Sequence, residues 1–175
     1  MSASGTLTST ETPYADAADL IKRYDVRQIG DLVNDDDTRA DAGDIAASGV
    51  VDAAMLDASG DLEAAVMAGA MYTLGNLERI AFPDAPATLT ATGHRLKRIV
   101  CAIAFWRLWN RRHPFDTPKD FPAVIEAYAD LEKLAQGETI FGLEETVAAS
   151  QPSTTEWINP LDYTRHTYQA ARFFP

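Results

Sequence analysis

LTATGHRLKRIVCAIAFWRLWNRR, Leu89 to Arg112, decides the fold. Leu96, Ile99, Val100 and Ile103 recur at helical spacing as one stripe, and Cys101, Phe105, Leu108 and Trp109 form a second. The middle of this helix is therefore apolar nearly all round, and a helix of that kind must be enclosed by neighbours on several sides. Burying Phe105, Trp106 and Trp109 stabilises by several kcal/mol at about 25 cal/mol per Å² of apolar surface, so packing accounts for these rings better than an aromatic cofactor box. His113-Pro114 ends the helix, because the residue before proline avoids the α region.

Working outward, the segments on either side also read as helices. Asp16 can cap a short helix to about Tyr24 with Asp19 at its third position, and Asp25 can start a turn carrying Val26, Ile29, Leu32 and Val33. From Val50, residues Val51, Met55, Ala58, Leu62, Ala65, Val66 and Gly69 recur at helical spacing, with Gly60 and Gly69 marking a close crossing or a bend. Pro83 and Pro86 impose a loop, NLERIAFPDAPAT. Thr117 then caps a further helix with Pro118 in its first turn, Ala127, Tyr128, Leu131 and Leu134 on its inner face, and Gly137 at its end. No run of alternating strands appears, although Glu138 to Leu143 suits a short extended piece. The expected architecture is all-α, a small helical bundle around a long central apolar helix. Its candidate core is Leu96, Ile99, Val100, Ile103, Phe105, Trp106, Trp109, Tyr128 and Leu131. The expected organisation is a flexible arm at 1–13, a helical domain at 14–145 and an extended tail at 146–175.

Charge is unevenly placed along the chain. The net charge is −11, and residues 1–88 carry 16 acids against 5 bases whereas residues 89–175 carry 10 of each. Overall acidity argues against a dedicated DNA-binding module but not against a protein that DNA merely passes. Arg95, Lys97, Arg98, Arg107, Arg111 and Arg112 crowd one segment, which suits a phosphate, an acidic neighbour or simply the solvated ends of a core helix. Asp35, Asp36, Asp37, Asp41 and Asp44 crowd another, but no register supplies the glycine and closing glutamate of a calcium loop, so this is expected to be a solvated acidic surface loop.

Chemistry-bearing patterns are scarce. His94, His113 and His166 have no second ligand at zinc spacing, no nucleophile elbow or phosphate-cradling glycine loop is present, and Asp57 and Asp61 are expected to face water. Cys101 is the single cysteine and reads as a buried small hydrophobe. The longest apolar run, Ile99 to Trp106, falls short of the ~20 residues that span a bilayer. No metal, cofactor, catalytic residue or membrane contact is expected, and the chain is read as a soluble intracellular protein rather than an enzyme. The tail is different, because Trp157, Tyr163, Tyr168, Phe173 and Phe174 stand on a Pro- and Ser/Thr-rich segment. Disordered tails are usually poor in aromatics, so these rings are expected to dock on a partner or a neighbouring copy.

The order of segments carries a resemblance. Tyr14-Ala15, ADLIKRY, QIGDL, the acidic loop, VVDAAMLDASGDLEAAV, the Pro-containing loop, LKRIVCAIAFWRLW and YADLEKLAQGETIF together resemble the Mu-like prophage family of head-to-tail connector, or adaptor, proteins of tailed phages, over about residues 14–141. The resemblance implies a virion protein at the head-tail interface, forming a ring, expected to be a dodecamer, beneath the portal. Its partners would be the portal, other copies of itself, and tail, stopper or terminator proteins, with DNA passing through without specific binding. By the same comparison the acidic loop is poorer in glycine than its counterparts, and the tail after Phe141 lies outside the family pattern. A free-standing helical binding module or regulator encoded by a prophage is the alternative.

Overall fold

The computed structural model describes residues 12–34, 40–83 and 89–141. The central stretch forms helix α6, Ala91–Arg112, which starts where the Thr90 hydroxyl accepts the Gly93 N–H (3.1 Å) and stops at His113. Before it come α1 (Ala17–Ile21), α2 (Val26–Val33), α3 (Ala42–Ala46), α4 (Gly49–Gly69) and α5 (Leu74–Ala81); after it comes α7 (Pro122–Ala135). Among the described residues there is no strand, and the fold is the all-α bundle that the sequence implies.

Helices α4, α6 and α7 form the centre, with α1, α2 and α5 laid against α6. Arg107, late in α6, reaches Asp57 and Asp61 on either side of the middle of α4, while Arg95, early in α6, meets Asp130 in the second half of α7. Gly69, the last residue of α4, lies against Leu134 near the end of α7. Helices α4 and α7 therefore run together and opposite to α6. Leu96, Ile99, Val100, Ile103, Phe105 and Trp106 are buried as expected, and Phe105 stacks on Tyr24 with ring centroids 4.1 Å apart. Trp109 and Leu131 are half-buried against the core rather than inside it.

Local chemistry explains the helix boundaries. The Asp16 and Asp25 carboxylates accept the Asp19 and Arg27 N–H groups at 2.7 Å each, as the spacing requires. The helix expected from Thr117 is corrected. Thr117 makes no side-chain cap; Pro118–Asp120 is a single 3₁₀ turn, and α7 starts at Pro122 because that proline holds Phe121 outside the α region (φ −122°, ψ 84°). The loop expected across NLERIAFPDAPAT is likewise shortened, since α5 continues to Ala81. Pro83 restrains only its immediate predecessor, Phe82 (φ −127°, ψ 72°).

Tyr128 is also corrected, being 39% exposed and not a core residue. The inner stripe of α7 runs through Val124, Ala127, Asp130 and Leu134, and Tyr128 stands one residue, about 100°, round from Ala127. The expected close crossing exists at Gly69, where an added Cβ would lie 1.8 Å from the Leu134 carbonyl oxygen, and not at Gly60, which has open space. Gly137 at φ +79° turns the chain after α7. The described part of 138–143 forms no strand. It is pinned instead, with Tyr72 Oη accepting the Phe141 N–H (3.1 Å) and donating to the Phe141 carbonyl (3.2 Å), and Arg95 donating to the Ile140 carbonyl (2.9 Å).

Candidate functional site: the two ends of the central helix

Four of the six Lys and Arg residues of α6 meet acidic neighbours among the described residues. Arg95 grips the Asp130 carboxylate with two nitrogens (2.9 and 3.3 Å), Lys97 binds Asp19 (2.7 Å), and Arg107 spans Asp61 (2.7 Å) and Asp57 (3.3 Å). Asp57 and Asp61 thus do not simply face water; they clamp α4 to α6. Asp130 was legible in principle, as the one acid in an otherwise apolar stripe of α7.

Asp19 carries a testable pH dependence. Its burial favours the neutral acid, but the Lys97 hydrogen bond and charge outweigh that, so its pKa lies below the ordinary carboxylate value. A depressed folded pKa means that this stabilisation is present above the unfolded value of about 3.9 and is lost as pH falls through the folded one. Asp19→Asn is expected to lower stability at neutral pH by about 1–2 kcal/mol and to flatten the acid limb of stability against pH. Denaturant midpoints from pH 3 to pH 7 check this; parallel curves for the two chains would contradict it.

At the C-terminal end of α6 lies a groove of about 710 Å³ of mixed charge, with Asp25, Arg27 and Asp31 of the α2 segment facing Trp109, Arg112 and His113. Trp109 is fixed there by Phe121 (centroids 4.9 Å), by His113 (4.6 Å) and by its Nε1–H, which donates to Asp116 (2.9 Å). The Arg112 guanidinium donates to the Asn34 carbonyl and ties α2 to this end. That bond to Asp116 shapes the turn on which Phe115 stands 96% exposed. A large ring held in water, one residue from the carboxylate that binds a half-buried Trp, has the composition of an interface anchor. Nothing in the sequence distinguishes Phe115 from a core phenylalanine.

At the opposite end, Arg23, Ala91, His94, Arg95 and Arg98 surround a groove of about 600 Å³. Arg98 is half-exposed, and its carboxylate partners lie at 3.7 Å (Glu126) and 4.0 Å (Asp130).

The remaining sequence candidates fall as follows. Asp41 and Asp44 are exposed but structured. Asp41 accepts the Gly43 and Asp44 N–H groups (2.7 and 2.9 Å) and Asp44 accepts the Asp41 N–H (3.0 Å), a capping box that starts α3 inside the expected loop. Asp35, Asp36 and Asp37, and all five tail aromatics, lie outside the described residues. No group of three metal-ligating side chains occurs among the described residues, and none of the described helices is long and apolar enough to cross a membrane. Cys101 is fully buried, which pushes its thiol up to about 12. Native protein at about pH 8 is expected to resist a thiol reagent that labels the unfolded chain at once; rapid native labelling would contradict this packing.

Fold and surface define an all-α domain with a groove at each end of one buried helix. The family model for Bacteriophage Mu, Gp36 matches residues 14–158, so the chain belongs to that family and is a phage protein. No curated protein and no solved structure gives a match. The match corrects the expected boundary at Phe141, since Trp157 falls within the family's length while Tyr163, Tyr168, Phe173 and Phe174 lie beyond it.

Proposed function

We propose that this protein is a structural head-to-tail adaptor, a ring subunit between the portal and the tail or stopper and part of the channel through which DNA leaves the head. The family match over residues 14–158 supports a phage protein, and the finer reading rests on the resemblance of the segment order to connector proteins. The geometry is compatible with it, because a ring subunit needs a stiff body with separate contacts to unlike neighbours. The bundle offers such surfaces in the Phe115 and Trp109 corner and in the Arg23, His94 and Arg98 groove. The tail aromatics Trp157, Tyr163, Tyr168, Phe173 and Phe174 serve as anchors on the portal or an adjacent subunit. No catalytic role is assigned, and DNA passes without specific contacts.

The test is genetic and structural together. A phage lacking this gene is expected to make filled heads and separate tails that do not join, with joining restored by the full chain supplied in trans. Normal virions from the deletion would overturn the proposal and leave the prophage-encoded regulator in its place.

A further inference from the structure

The described chain leaves the bundle beside a cationic groove. Phe141 is buried, with both its backbone polar groups held by Tyr72, and the carbonyl of Ile140 before it accepts a guanidinium nitrogen of Arg95 (2.9 Å). Arg95 also lines the groove at the N-terminal end of α6, together with Arg23, Ala91, His94 and Arg98. Asp130 engages Arg95 through two nitrogens, which leaves two cations there with room for a further carboxylate. Arg23 donates to the backbone carbonyls of Asp19 (3.0 Å) and His94 (3.5 Å), and no carboxylate among the described residues pairs with it. Arg98 is half-exposed, with Glu126 and Asp130 no nearer than 3.7 and 4.0 Å. The Asp19 carboxylate is taken by Lys97 and Lys22. In sequence, Glu144 and Glu145 follow Phe141 by three and four residues, and no other charged side chain occurs before Glu156.

We propose that this groove seats the acidic pair Glu144-Glu145 of the same chain, with Arg23 and Arg98 as its partners. Reach and local concentration select the occupant, not the net charge of either end of the bundle. Four residues span at most about 14 Å, so Glu145 reaches only what lies near the Phe141 exit, and the groove begins at the arginine that holds Ile140. So short a tether gives a local concentration on the order of 1 mM, which a carboxylate on a separate molecule would have to match. Charge-assisted hydrogen bonds from guanidinium to carboxylate then fix the geometry. The consequence is positional. The tail departs across the N-terminal end of α6, and Trp157, twelve residues beyond Glu145, is carried within about 40 Å of that end. The inference goes beyond the adaptor reading and does not depend on it; within that reading, the groove meets a neighbour through the tail that it aims.

Disulfide trapping in the full chain tests it, with Ala91→Cys on the rim of the groove paired with Thr146→Cys and all four charged partners kept. Cys101 is fully buried, so it stays out of the exchange. Mild oxidation at roughly 20 mM salt is expected to give an internal crosslink, seen as a faster-running monomer on a non-reducing gel. A control pair, Gln28→Cys at the far end of α6 with Thr146→Cys, is expected to crosslink at least about tenfold more slowly. Adding Glu144→Gln with Glu145→Gln to the Ala91 pair should slow trapping about tenfold, and so should Arg23→Gln with Arg98→Gln or salt at roughly 500 mM. Combining the two sets of substitutions should slow it no further, because both remove one contact. Thermal melts check that each variant folds; if the arginine variant does not, the Glu144 and Glu145 substitutions, which lie outside the described bundle, decide alone. Trapping that is indifferent to the glutamates, losses that add, or crosslinked dimers in place of the internal crosslink would each overturn the proposal, the last by making a second copy the occupant. None of these results bears on whether the chain joins heads to tails, so the adaptor reading stands or falls separately.

Discussion

Gly69→Ala is expected to cost about 3 kcal/mol or more, at or above the upper end for inserting a single methyl group into a packed interior. The added Cβ would lie 1.8 Å from the Leu134 carbonyl oxygen and 3.0 Å from the Gly137 nitrogen. Both are backbone atoms, so relief requires moving α4 away from α7 rather than turning a side chain. The same substitution at Gly60, in the same helix, meets nothing within 4 Å and should gain up to about 1 kcal/mol from helix propensity. Denaturant midpoints of the two variants should therefore move in opposite directions. Similar shifts for both would show that the α4–α7 crossing is not as close as described.

Truncation after Glu145 is expected to leave a folded helical domain that no longer joins heads to tails. The described core already closes on itself at Phe141, which is buried against Tyr72 with ring centroids 5.3 Å apart. Ordering the residues beyond it costs roughly 1–2 kcal/mol each in backbone entropy, and a partner surface receiving the five aromatics is the proposed source of compensation. A second truncation after Ile158 separates the parts by keeping Trp157 and removing the rings beyond the family's length. Circular dichroism and thermal melts read the fold, and complementation of the deletion reads joining. A Glu145 truncation that unfolds would make the tail part of the core; one that still complements would end its anchoring role.

What was legible in the sequence depended on how local the cause is. Helix α6 is announced by its own apolar girdle, and the caps at Asp16 and Asp25 act within three residues, so both could be read directly. Helix α3 was legible too, in the spacing of Asp41 and Asp44, but the density of aspartates read as solvation and hid the capping box. Errors came where rotation or distance decides. Tyr128 sits one residue from the true inner stripe, and the ion pairs of Arg95, Lys97 and Arg107 join residues 35 to 78 positions apart. The crowding of cations in one segment points to an acidic neighbour, but nothing local shows that Asp19, Asp57, Asp61 and Asp130 of the same chain supply it. The grooves depend on side chains from separate helices and leave no contiguous motif.

Electron cryo-microscopy of the intact head-to-tail joint tests the adaptor claim most directly. The expected result is a ring of density beside the portal into which the α4, α6 and α7 core fits, repeated about the DNA axis. Purified virions from which this chain is missing, or a complete joint with no density that fits the bundle, would contradict it.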